Sequence, residues 1–184
     1  MTELEKHEHP SKENPYPLDY SIDSDSSTLL YWLCRFLKPE RVLETGVAYG
    51  ASSAYILQAL RDNDRGELVS IDGLFRPWQT EAMIGYMIPR ELRDRWSLLV
   101  GASGDRLESA LHELGEVDLF IHDSLHTYSN MKWEFATAWP SIKPGGFMVA
   151  DDVGANNAFS EFCRDKDPLI VRQEKHSYLG VVRK

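Results

Sequence analysis

Five short apolar runs, each closing on a polar residue or glycine and each followed by a helical pattern, constrain this chain more than anything else in it. RVLET (41–45), ELVSID (67–72), WSLLVG (96–101), VDLFIH (117–122) and GFMVAD (146–151) have strand length and little internal alternation. Helical patterns follow the first, third and fourth runs, from the glycine turn to about Arg61, over 104–115 and over 130–142. Strands that are apolar throughout are buried on both faces, so the pattern predicts a parallel sheet covered by helices, an α/β doubly wound architecture. A serine-led amphipathic stretch, 26–37, predicts a helix ahead of the first strand, and another is expected near 155–165. PLIVRQ and YLGVVRK then read as two short strands at hairpin spacing. Segment 77–95 reads as helical in part, with Gly85 and Pro89 interrupting it. Residues 1–25 are polar, proline-punctuated and aperiodic. They are expected to form a flexible arm, with one domain over 26–184.

Composition narrows the functional classes. A net charge of −9 would repel nucleic acid and anionic membranes, so neither is expected as a partner. The two cysteines, Cys34 and Cys163, sit among apolar residues without ligand or disulfide spacing, as reduced buried thiols do. With no leader-like segment and no apolar run of membrane-spanning length, the expected location is the cytoplasm.

Open parallel sheets bind ligands beyond the carboxyl ends of their strands. Every chemically suggestive residue of this chain falls at such an end: Glu44, Asp72, Ser103, Asp123 and the pair Asp151–Asp152. In VLETGVAYGASS (42–53), Gly46 and Gly50 stand between a strand and a helix, where glycine permits a tight turn and close approach to a ligand. The glycines are four apart and an acid precedes them, which suits a ligand bearing an ammonium group better than a pyrophosphate. Asp72 is placed to accept hydrogen bonds from ribose hydroxyls. Asp105 in GASGD (101–105) reads as a helix-capping residue, with Ser103 and Gly104 nearest an adenine.

From residue 41 to 153 the chain resembles the class I S-adenosylmethionine-dependent methyltransferases, and most closely the small O-methyltransferases around catechol O-methyltransferase. VLETGVAYGASS resembles their first motif, VGASGD their adenine loop, and VDLFIHD with IKPGGFMVADD their fourth and fifth strands. The resemblance implies a Rossmann-like sheet of seven strands, mostly parallel, with an antiparallel C-terminal hairpin. It also implies that Glu44, Gly46 and Ser52 lie near the methionine part of the cofactor, with Asp72 at the ribose and Ser103 at the adenine.

The other end of the site is acidic. Asp123 ends one strand and Asp151 and Asp152 another; neighbouring strands lie ~4.8 Å apart, so the three carboxylates can converge. Crowded carboxylates bind protons or share a cation, and an all-oxygen set suits a hard ion, Mg2+ first, with Ca2+ or Mn2+ as alternatives. In the catechol-type enzymes the second position is an Asp-Asn pair; here it is Asp-Asp, as in some macrolide-sugar O-methyltransferases. His126 follows Asp123 by three residues, a spacing that can put both on the same side of a helical turn. Neutral imidazole is suited to take a hydroxyl proton near pH 7. The catechol-type family has a lysine at this position and the macrolide-sugar relatives a histidine. A structural histidine or a further metal ligand are the competing readings. His122 is expected to be packed and hydrogen-bonded, and Tyr128 and Trp133 to be helix core or pocket wall.

The sequence therefore leads to transfer of a methyl group from S-adenosylmethionine to a small-molecule hydroxyl, with His126 and Asp123 catalytic and Asp123, Asp151 and Asp152 around the metal. A metal-independent methyltransferase acting on another acceptor, or a non-catalytic cofactor-binding module, are the alternatives. Phenols, sugars and natural products all remain open as acceptor. Apolar residues between Phe75 and Trp96 suit an acceptor lid or a homodimer contact.

Overall fold

A computed structural model describes residues 24–74, 80–172 and 178–184. Seven strands are present: β1 (Arg41–Thr45), β2 (Glu67–Asp72), β3 (Trp96–Val100), β4 (Val117–His122), β5 (Ile142–Ala150), β6 (Leu169–Arg172) and β7 (Tyr178–Arg183). They form one sheet in the order β3-β2-β1-β4-β5-β7-β6. β1 to β5 are mutually parallel, while β7 runs antiparallel to both β5 and β6. This is the α/β Rossmann-like, doubly wound sheet with its antiparallel C-terminal hairpin. The winding reverses between β1 and β4, which places the ligand crevice beyond their carboxyl ends.

Alternation along the strands assigns the two faces. Val42, Leu68, Leu119, Ile121 and Val149 pack beneath α1 (Ser24–Leu37) and α2 (Ala51–Asp62). Leu43, Ile71, Phe120 and Met148 pack on the opposite face, under α3 (Ser103–Leu114), α4 (Tyr128–Ala138) and α5 (Ala158–Phe162). Because the side-chain period of a strand is two, the last residue or two of each strand is committed to one face or the other. Glu44 shares the α2 face with Val42. Thr45 and His122 share the α4 face with Leu43 and Phe120.

Several boundaries differ from the sequence reading. α1 begins at Ser24, two residues inside the expected arm; the rest of that arm, 1–23, lies outside the described residues. β5 starts at Ile142, four residues early, because Gly145 at φ 84 lets the strand continue through the Pro-Gly-Gly stretch. α4 gives way to a 3-10 turn over Trp139–Ser141 at Pro140, and α5 is only five residues long. Between β2 and β3, residues 75–79 lie outside the described residues, and the remainder forms two 3-10 turns, Glu81–Met83 and Arg90–Arg95. Ile84, Ile88 and Leu92 are buried at helical spacing there, but Gly85 at φ 66 and Pro89 stop a continuous helix. Cys34 and Cys163 are both free and buried; burial pushes the Cys34 thiol up to about 12. Among the described residues, no helix is long and apolar enough to cross a membrane.

Candidate active site

The turn after β1 is built around a positive φ and a close crossing. Gly46 sits at φ 86, its N–H donates to Ile71 O at 2.9 Å, and the neighbouring Thr45 O accepts from Asp123 N at 2.8 Å. A Cβ at Gly46 would run into the Asp123 carbonyl and stand 2.9 Å from Ser124 N. Glycine is therefore required here for contact between two loops of the protein, the one after β1 and the one after β4. Gly50, at φ 85, heads α2 without a side-chain cap, and a Cβ there would meet Ile88 at 2.7 Å.

Glu44 is fully buried below α2, as its strand face dictates. Ser52 donates to Oε1 at 2.6 Å, and Ser53 and Ser70 donate to Oε2 at 2.6 and 2.8 Å. Burial raises its pKa, while the three hydroxyls pull the other way. Both oxygens of Glu44 thus hold internal donors, and Ser52 spends its proton inward. As placed, these two residues shape the turn from beneath. The carboxylate of Asp72 folds back on the same loop: Oδ2 accepts from Val47 N at 3.0 Å and Ala48 N at 2.8 Å, and Oδ1 from Gly73 N at 2.7 Å. Burial raises the Asp72 pKa against those bonds. An ionised carboxylate has about four acceptor sites, so one remains for a ligand hydroxyl. Ser103 opens α3, with Ala102 in the N-cap place; Asp105 lies within the first turn and does not cap it.

The loop after β4 carries the acidic cluster. Asp123, His126 and Asp151 each offer a ligand atom within 4.8 Å of the others. Burial raises the Asp123 pKa well above the usual carboxylate range, and the charge and shared hydrogen bond of Asp151 raise it further. Asp152 adopts φ 51 and turns toward the imidazole, its Oδ2 3.5 Å from His126 Nδ1, while His126 Nε2 is 3.7 Å from Asp123 Oδ1. The geometric donor group is therefore Asp123, His126 and Asp151, with Asp152 on the far side of the ring. Burial, followed by the neighbouring His122, lowers the His126 pKa, although Asp151 and Asp152 oppose this. Burial thus favours the neutral imidazole, and its buried Nε2 has no hydrogen-bond partner among the described residues.

Behind this cluster stands a residue that the sequence reading passed over. Glu134 lies on the inward stripe of α4 with Met131, Phe135 and Ala138, and none of its surface is exposed. Its Oε2 accepts from Thr45 Oγ1 at 2.6 Å and His122 Nδ1 at 2.7 Å; its Oε1 accepts from Ser124 Oγ at 2.6 Å and Asn130 Nδ2 at 3.0 Å. Burial alone would raise its pKa, but His122, with help from Ser103 and Ser124, brings it down to about 2. The signal was legible in principle, since a glutamate at i+3 of an apolar helical stripe must find partners where it is buried. Tyr128 and Trp133 are less central: the Tyr128 hydroxyl donates to Glu161 at 2.7 Å, and Trp133 packs against the core.

The chain matches a family model described as a methyltransferase domain over residues 43–153. No curated protein matches it. Among solved structures, an O-methyltransferase from Bacillus cereus in complex with SAH is 17% identical, with a TM-score of 0.71, covering 90% of this chain and 83% of that one. TomG from Streptomyces achromogenes, an O-methyltransferase involved in tomaymycin synthesis and solved with SAM, is 18% identical, with a TM-score of 0.69 and coverage of 90% and 82%. The SAH-bound methyltransferase PaMTH1 of Podospora anserina is 17% identical, with a TM-score of 0.68 and coverage of 98% and 91%. At these identities the likeness is one of fold.

Proposed function

This chain belongs to the methyltransferase-domain family, and from that premise we propose that it transfers the methyl group of S-adenosylmethionine to a hydroxyl oxygen of a small molecule, with His126 as general base. The observation that carries the reading is the meeting of Asp123, His126 and Asp151 at the carboxyl ends of β4 and β5, beside the glycine turn after β1. The SAM- and SAH-bound structures of the same fold support the choice of methyl donor. Gly46 and Gly50 would form the floor for the methionine portion, with Asp72 at the ribose and Ser103 toward the adenine.

The reaction forms an O–CH3 bond and breaks an S–CH3 bond, whose electrons return to sulfur. The hydroxyl proton leaves for His126, which its surroundings hold neutral and ready to accept it. Fixing nucleophile, methyl and sulfur in line is the protein's main contribution. Two crowded carboxylates sharing a proton are a suitable seat for a divalent cation. Held by Asp123 and Asp151, such an ion, Mg2+ in the first instance, would lower the pKa of the acceptor hydroxyl.

One observation favours a second reading. The grouped donors include an imidazole nitrogen, which suits a transition ion such as Zn2+ or Fe2+ better than Mg2+. There His126 would be a ligand rather than the base. A net charge of −9 argues against an anionic polymer as acceptor, and two free cysteines fit a reducing cytoplasm. Exposed Tyr86 and Met87 would serve as an acceptor rim or a homodimer contact.

Calorimetric titration with S-adenosylhomocysteine, in EDTA and then in Mg2+, tests the cofactor. Micromolar binding is expected, and absence of heat in both would end the proposal. Once an acceptor is found by screening phenols and sugars, His126→Ala should keep cofactor affinity and lose about 10²-fold or more in turnover. Unchanged turnover would remove His126 as base, and loss of metal binding in that variant would instead make it a ligand.

A further inference from the structure

Glu134 accepts from donors on β1, on β4, in the loop after it and on α4, and Ser103 at the head of α3 adds a further hydrogen bond, so its acceptor sites are all engaged. The carboxylate is an acceptor only, so the 2.7 Å contact to His122 requires the proton on Nδ1 of that ring. The His122 ring is itself fully buried, and it stands edge-on to Phe135, with centroids 5.2 Å apart, and to His126, with centroids 5.4 Å apart at 84°. Its Nε2 has no hydrogen-bond partner among the described residues. His126 is thus seated between the His122 ring, Asp123 and Asp152.

We propose that Glu134 is a positioning residue for the transfer step: it holds His122 in one orientation with Nδ1 as donor, and the His122 ring in turn seats the His126 imidazole against the carboxylates. The inference rests on the reading of His126 as the base. Buried partners of this kind that fix a working imidazole commonly carry a ten- to hundredfold effect on activity or ligand affinity.

Glu134→Gln separates positioning from bulk. The amide has the same shape but presents one NH2 to two former donors. Turned toward Ser124 and Asn130, it meets an amide whose Nδ2 also holds Leu125 O at 3.0 Å and Ser124 Oγ at 3.2 Å. Turned toward Thr45 and His122, it meets a hydroxyl that can rotate and a ring that can carry its proton on the other nitrogen. The second orientation disturbs fewer bonds, so the variant should move the His122 proton from Nδ1 to Nε2.

The experiment is nitrogen-15 histidine NMR on the full chain at constant pH, without metal or cofactor, with His126→Ala used for assignment. In the wild type, Nδ1 of His122 is expected to be protonated, with Overhauser contacts between the His122 and His126 rings. In Glu134→Gln the proton should sit on Nε2, and because a neutral amide-to-imidazole bond holds the ring less firmly than the charge-assisted one it replaces, the ring-to-ring contacts should weaken. A bare Nδ1 in the wild type overturns the proposal without any variant. So does a Glu134→Gln protein in which His122 has changed but His126 keeps its wild-type contacts. Because no activity enters these spectra, their result is independent of whether His126 proves to be the base, which the turnover of His126→Ala decides.

Discussion

Replacing Gly46 with alanine should damage both stability and the cofactor turn. The backbone at φ 86 lies where an L side chain is strained, at about 1–2 kcal/mol. The added Cβ would overlap the Asp123 carbonyl and approach Ser124 N to 2.9 Å, inside the 3.4 Å at which ordinary contact begins. Relieving it means separating the β1 loop from the β4 loop, which Asp123 N→Thr45 O ties together at 2.8 Å. Overpacking of that kind costs about 1–3 kcal/mol, so the combined loss is about 2–5 kcal/mol. In urea, at about 2 kcal/mol per molar for a protein of this size, the midpoint should fall by about 1–2.5 M. Gly104→Ala is the control. It lies inside α3 with nothing within 4 Å of an added Cβ, and should stabilise by up to about 1 kcal/mol through helix propensity. S-adenosylhomocysteine affinity should drop in the first variant, while the second serves as a control for stability alone. A Gly46→Ala protein within about 0.5 kcal/mol of wild type would refute the claim that this crossing requires glycine.

The acidic cluster and the two buried glutamates give further tests. Asp151→Asn removes the charge that crowds Asp123, so the metal-free protein should melt higher than wild type in EDTA while losing any thermal shift on adding Mg2+; a lower melting temperature in EDTA would show that the pair is not repulsive. Glu134 titrates at about 2 in the fold against 4.5 for a free side chain, a difference of about 3 kcal/mol. Its folded pKa is depressed, so this stability is present above pH 4.5 and lost as the pH falls toward 2. The stability gap between wild type and Glu134→Gln should accordingly be flat above pH 5 and close below it. Glu44 runs the other way, because its folded pKa is raised. Relative to Glu44→Gln, the wild type should gain stability as the pH falls from neutral toward 4.5. Denaturation series at stepped pH read both slopes, and matching signs for the two residues would contradict the assignment.

The sequence by itself determined the sheet and the edge at which the candidate site residues gather. Largely apolar runs such as LFI (119–121) and FMVA (147–150) suit burial on both faces, which makes the sheet parallel and sends the strand-ending acids to one edge. The three-residue step from Asp123 to His126 was equally readable, because both lie on one short loop. What the tertiary structure decided was which oxygen faces what. Strand alternation turned Glu44 under α2 into a cage of three serines and turned Thr45 and His122 toward α4, but the identity of their partners depended on helices 8 to 89 residues away in sequence. Glu134 is the clearest case. Its helix reads as an ordinary amphipathic stripe, and only the docking of that stripe against the ends of β1 and β4 makes it the common acceptor of donors from several elements. Asp152 is another, since a backbone at φ 51 carries it to the imidazole and away from its neighbour's side of the ring. Local spacing fixes periodicity and strand ends, whereas hydrogen-bond partnership across elements is set by how two faces meet, which no local pattern encodes.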